Sequence, residues 1–225
     1  MFMIAAVSAK ETATPEKSVS PGINHTYVDP DMKVDEMLKR FEVESREVFQ
    51  SRDAVLAACK VKPGMRVADI GAGTGLYTRM FSKAAGENGW VYAVDISPPF
   101  LQHIRQRAKQ EGQSNITTVL CADDSTGLPP ASIDFAFICD TYHHFEYPQS
   151  TLASLVRAMK PGASLVVIDF IRIEGQSSDW VLSHVRAGEE IFRKEIENAG
   201  LKYVEKVAIP GFEQNYFLRF AKPEP

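Results

Sequence analysis

The stretch from Ala68 to Tyr77, ADIGAGTGLY, places glycines at alternate positions: Gly71, Gly73 and Gly75. It follows a short apolar run, MRVADI, and leads into LYTRMFSKAAG. In that segment Leu76, Met80 and Ala84 share one helical face before Gly86 ends the pattern. A strand, a glycine turn and a helix in this order form a nucleotide-binding turn. Glycine reaches positive φ, and backbone N–H groups come close to a ligand where no side chain intervenes. A bare strand-to-helix turn needs fewer glycines than three.

Spacing narrows the ligand. A dinucleotide fingerprint, G-x-G-x-x-G, counted from Gly71 would need glycine at residue 76, which is Leu76. A phosphate loop would need Gly-Lys-Ser/Thr, which the turn lacks. The run from Asp69 to Gly75, D-I-G-A-G-T-G, therefore fits a ligand without a pyrophosphate.

Outward from the turn the chain alternates. WVYAVDI, NITTVLC, IDFAFICD and SLVVIDF read as strands, and PPFLQHIRQRAKQEG and PQSTLASLVRAMKPG as helices. Near-continuous apolar strands between helices indicate a doubly wound, mostly parallel α/β sheet covered on both faces. After the helix AGEEIFRKEIENAG, the strands LKYVEKVAI and NYFLRFAK are separated only by PGFEQ, which suits an antiparallel hairpin and brings the strand count to seven. Val34, Leu38, Phe41, Val48, Val55 and Leu56 mark a helical cap over residues 34–60, read as one long helix or two short ones. Residues 1–33 are expected to form a flexible arm, and 34–225 the domain.

The 225 residues suit one domain, and a 44% hydrophobic content builds a core without disulfides. A net charge of -4 disfavours nucleic acid as partner, and no apolar run is long enough to span a membrane. Cys59, Cys121 and Cys139 form no metal-binding or disulfide pattern and read as buried thiols, which points to a reducing cytoplasm. MFMIAAVSAK, with its small-residue end Val7-Ser8-Ala9, keeps export open as the alternative.

The D-I-G-x-G-x-G run resembles the first motif of the class I S-adenosylmethionine-dependent methyltransferases, and the resemblance extends from Lys62 to Phe170. It is closest to the menaquinone/ubiquinone-type and arsenite-type branches and implies a Rossmann-like, seven-stranded fold with an antiparallel C-terminal hairpin. It implies S-adenosylmethionine as cofactor and a small-molecule methyl acceptor. Asp69, Gly71, Ala72, Gly73, Thr74 and Gly75 would hold the methionine part. Asp95, at the end of the second strand, would accept the ribose hydroxyls, with capping of the next helix as its alternative role. Ile96 would pack on the adenine, and Asp123 or Asp124 would accept its amino group. SPPF at 97–100 imitates a DNA-methyltransferase motif but follows the wrong strand, where its prolines start a helix.

Methyl transfer from a sulfonium is an in-line displacement with an activated leaving group, so alignment and exclusion of water matter more than a catalytic triad. Asp140, Tyr142, His143 and His144, after the fourth strand, are the candidates for orienting the acceptor, and one histidine for taking a proton; Asp140 is a candidate at the cofactor as well. Trp180 is a candidate for stacking on the acceptor and Arg186 for holding a carboxylate; His184 and Tyr27 are further candidates. No metal is expected: in the set Asp140, His143 and Asp169, the last is followed by Phe170 and not by the asparagine of metal-dependent relatives. A cofactor-binding module without turnover, and an NAD-dependent oxidoreductase, are the rival classes.

Overall fold

Strand β1 (Arg66–Ile70) sends its side chains alternately into two cores. Ala68 and Ile70 join one cluster and Val67 the other. Strands β4 (Ile133–Cys139), β5 (Met159–Phe170) and β7 (Asn215–Ala221) alternate in the same way, so both faces are apolar and both are covered. The computed structural model describes residues 15–224.

With β2 (Trp90–Asp95), β3 (Ile116–Leu120) and β6 (Lys202–Lys206), the seven strands lie in the order β3-β2-β1-β4-β5-β7-β6. Strands β1 to β5 pair in parallel, and β7 runs antiparallel to both β5 and β6. The expected doubly wound sheet with an antiparallel hairpin is the one found. Strand order reverses between β1 and β4, and ligands of such sheets bind in the crevice at the carboxyl ends of those strands.

The helices are α1 (His25–Val28), α2 (Val34–Phe41), α3 (Glu47–Gln50), α4 (Arg52–Cys59), α5 (Leu76–Ala85), α6 (Pro98–Gln110), α7 (Pro148–Ala158), α8 (Asp179–His184) and α9 (Glu189–Asn198). Helix α5 buries Tyr77, Phe81 and Ala85, one residue on from the expected face. Thr78 and Ser82 go in with them because each has a buried partner: the Thr78 hydroxyl donates to Asp69 at 2.6 Å, and Ser82 to Asn115 at 2.5 Å. Phe81 lies edge-on to Phe135 and Phe137, and its truncation to alanine would cost about 3–5 kcal/mol.

The cap is three short helices, α2 to α4, where one or two were expected. Three contacts set it over the crevice. The Glu47 carboxylate accepts the backbone N–H groups of Glu213, Gln214 and Asn215. The Tyr77 hydroxyl donates to the Val48 carbonyl, and Arg46 pairs with Asp140.

The segment expected as a free arm is docked from Glu16 onward. The Glu16 carboxylate accepts the N–H groups of Gln149 and Ser150 in the first turn of α7, where the helix dipole favours an anion. Val19 N–H donates to the Glu146 carbonyl, and Asn24 to that of His144. Among the described residues no helix is long and apolar enough to cross a membrane. The run MFMIAAVSAK lies outside them.

Candidate functional site

The three glycines differ in what their missing side chains make room for. At Gly71 (φ +70°) a Cβ would lie 2.2 Å from Thr141 Cγ2, on the loop after β4. At Gly75 (φ +79°) it would lie 2.6 Å from Ile104 Cγ1 of α6. These two serve close packing of the turn against its neighbours. At Gly73 (φ +53°) the nearest atom is the Gly71 carbonyl oxygen at 3.9 Å, and the space beyond is cavity. Of the three, Gly73 alone has its missing side chain replaced by open space, and Gly75 lines neither part of the cavity.

The cavity has two adjoining lobes that share Gly71, Gly73, Asp140, Thr141, His144, Tyr27 and Phe41. The smaller, of 120 Å³, lies along the ends of β2 and β3 and is lined by Asp95, Ile96, Phe100, Cys121, Ala122 and Asp123. The larger, of 360 Å³, is lined on one side by Asp69, Ala72, Thr74 and Asn215. On its other side stand Phe170, Trp180, His143 and His184. Asp123 lines the smaller lobe; Asp124 is exposed and lines neither.

Asp95 is held by the turn. One carboxylate oxygen accepts Gly73 N–H at 2.8 Å and the other Ser97 N–H at 2.8 Å. Each oxygen keeps a second lone pair for a ligand hydroxyl. The bond to Ser97, two residues on, closes a turn just before α6 and does not cap that helix, whose start has no side-chain cap; the bond to Gly73 ties the carboxylate to the glycine turn.

Three buried acids surround the crevice. Burial raises Asp69 to about 7, against the hydrogen bond from Thr78. Burial raises Asp95 to about 6, against its backbone hydrogen bonds. Burial likewise raises Asp140 to about 6, against the charge of Arg46. Acids held this far above the carboxylate range favour a positively charged ligand, which restores the ionised form.

The histidine wall is more ordered than the sequence conveys. His143 Nδ1 lies 2.8 Å from an Asp169 oxygen, and His143 N–H donates to the other oxygen of that carboxylate. Burial alone would lower the His143 pKa, but Asp169, through charge and hydrogen bond, and then Asp140 outweigh it and raise it. Burial, then the neighbouring histidines, push His144 down to about 2, so its ring is neutral. The Tyr27 and His144 rings meet edge to face with centroids 5.3 Å apart, and Trp180 stacks on His184 at 4.7 Å.

Several candidates lie elsewhere or are occupied. Tyr142 is fully buried in the core, with its ring on Phe192 and its hydroxyl donating to Glu195, and it lines neither lobe. Arg186 forms a two-bond pair with Glu195 and is not available for a substrate carboxylate. Asp140 reaches the crevice but is bound by Arg46 and by Asn215 at 2.8 Å. The set Asp140, His143 and Asp169 is therefore two separate pairs, one to Arg46 and one within itself. Cys121 and Cys139 line the lobes; burial raises Cys121 to about 12 and holds Cys139 well above the usual thiol range, so both are thiols and not thiolates. Sequence reasoning missed Arg46, Asn215, Phe41 and Phe100 as site residues, since their partners are remote in the chain.

Residues 68–167 match the methyltransferase-domain family. A ubiquinone/menaquinone biosynthesis C-methyltransferase, UbiE, of Bordetella parapertussis is 33% identical over 113 residues, 50% of this chain and 43% of the relative. The chain thus matches less than half the length of that curated relative. A SAM-dependent methyltransferase structure from Aquifex aeolicus superposes with a TM-score of 0.73 at 26% identity, over 84% of this chain and 98% of that one. A phosphoethanolamine N-methyltransferase 2 of Haemonchus contortus, solved with S-adenosyl-L-methionine, shares the fold at 16% identity. Its TM-score is 0.66, over 85% of this chain and 60% of that one. The glycine turn, the strand order and these matches together support the class I S-adenosylmethionine-dependent methyltransferase superfamily for this chain.

Proposed function

We propose that this protein transfers the methyl group of S-adenosylmethionine to a small, flat acceptor. The observation that carries the reading is the open space at Gly73, with its N–H turned to Asp95. It leaves room for a ligand to pass over the turn from one lobe to the other. In this arrangement Asp95 accepts the ribose hydroxyls, Ile96 packs on the adenine, and Asp123 accepts the adenine amino group. Asp69 and the turn Gly71-Ala72-Gly73-Thr74 hold the methionine end, whose ammonium ion suits a buried acid. Asp140, already paired, shapes the crevice and adds negative potential beside the sulfonium.

The methyl carbon then faces the larger lobe. An acceptor lone pair forms a bond to that carbon, the S–CH₃ bond breaks, and its electron pair returns to sulfur, which leaves as a neutral thioether. The chain's task is to align the acceptor and keep water out. Tyr27, Phe41, Phe170 and Trp180 supply flat apolar walls, which favour an acceptor with an aromatic or quinone-like ring. His143, fixed by Asp169, and His144 orient it from the side. The C-methyltransferase of ubiquinone and menaquinone biosynthesis among the relatives agrees with a flat acceptor. Access is narrowed by the docked segment 16–28 and the cap.

The test is transfer of labelled methyl from S-adenosylmethionine into fractionated cell extract. Label in the low-molecular-weight fraction is expected. Label only in protein or RNA, or no transfer by a chain that binds the cofactor, overturns the reading.

A further inference from the structure

Three imidazoles meet in the larger lobe from two distant parts of the chain. His143 and His144 come from the turn after β4, and His184 closes α8. One ring nitrogen of each lies within 4.8 Å of the others. The Nε2 atoms of His144 and His184 are 3.3 Å apart. Two nitrogens bound to one tetrahedral zinc at the usual bond length stand about 3.3 Å apart. We propose that His143, His144 and His184 bind one divalent transition-metal ion of the zinc type, with its fourth position open to the acceptor lobe.

Support around the ligands follows the pattern of such sites. A metal-binding histidine commonly gives its other ring nitrogen to a carboxylate, which fixes the ring and its tautomer. His143 does this: Asp169 takes Nδ1, and the carboxylate is itself held by the backbone N–H groups of His143 and Phe170. That leaves Nε2 of His143 as its ligand atom. His144 Nδ1 is buried and has no hydrogen-bond partner among the described residues, so the protein alone does not fix that ring's proton; an ion on Nε2 would. Trp180 stacks on the His184 ring. Three neutral nitrogens suit zinc, cobalt, nickel or copper and not magnesium or calcium. The site differs from the set Asp140, His143 and Asp169 in every ligand but one.

The metal's binding is independent of the methyl-transfer reading; its role rests on it. An ion here would act as a Lewis acid, making a protic group of the acceptor easier to deprotonate.

The test titrates tag-free, metal-stripped full chain with Co²⁺, read by visible absorption, and with Zn²⁺, read by calorimetry. One equivalent of Co²⁺ with the intense bands of a tetrahedral site is expected. In His184→Ala the affinity should fall at least tenfold, while binding of S-adenosylhomocysteine is kept. His184→Gln serves if the alanine variant fails to melt cooperatively. No tetrahedral spectrum and no Zn²⁺ heat in the native chain overturns the proposal. Equal affinity in the native and variant chains also overturns it, because the ion then lies elsewhere. A chain that binds Co²⁺ but no sulfur nucleoside would overturn the methyl-transfer reading and leave the site standing.

Discussion

Gly73→Ala separates ligand space from packing space within one turn. Gly73 has φ +53°, and an added methyl would meet no protein atom nearer than 3.9 Å. Its cost to folding is then the left-handed backbone alone, about 1–2 kcal/mol. For a chain of this size that lowers Tm by roughly 2–8 °C. The methyl would stand where the cofactor must pass, so affinity for S-adenosylhomocysteine should fall tenfold or more, about 1.4 kcal/mol at least. Gly75→Ala is the counterpart. It carries the same backbone strain and also drives a methyl to 2.6 Å from Ile104 Cγ1. Overpacking adds about 1–3 kcal/mol, for a total of roughly 2–5. Its Tm should fall further, yet each folded molecule should still bind. Thermal unfolding and calorimetry on both variants decide the matter. Native affinity in Gly73→Ala, or the greater binding loss in Gly75→Ala, would refute the assignment.

Asp123→Ala should weaken S-adenosylhomocysteine binding by about 1.5–3 kcal/mol if the carboxylate meets the adenine amino group, and Asp124→Ala should leave calorimetric affinity unchanged; the reverse order would move the role to Asp124. Asp69 gives a pH signature. Burial raises its pKa in the folded chain to about 7 from an ordinary value of 3.8, so folding favours the protonated acid. Its contribution is full below about pH 4 and is lost as pH rises to about 7. In urea unfolding, Asp69→Asn should therefore gain stability relative to the native chain across that window and level off above it. A gap that stays constant with pH would show that Asp69 is not the buried acid described.

The sheet was legible because its evidence is local. Each strand is a short apolar run bounded by a glycine or proline, and PGFEQ leaves no room for a crossover. The acids proposed for the cofactor drew attention for the same reason: Asp69 and Asp95 lie at the ends of β1 and β2, and Asp123 and Asp124 in the loop after β3. The rest depends on pairs far apart in the chain. Arg46 meets Asp140 across 94 residues, and Glu16 caps α7 across more than a hundred. Nothing in the neighbourhood of either residue announces its partner. Tyr142 lies in the core, although its two histidine neighbours suggest a polar loop, because the short helical turn buries Tyr142 and His143 together. The buried face of α5 was offset because Thr78 and Ser82 look like surface residues until Asp69 and Asn115 are seen opposite them. His184 became informative only when the fold set it beside His144.

Calorimetric titration of the full chain with S-adenosylmethionine, S-adenosylhomocysteine and NAD tests the central claim most directly. The account predicts one molecule of either sulfur nucleoside bound per chain and no heat from NAD. Silence from both sulfur compounds, or tighter binding of NAD, would contradict it.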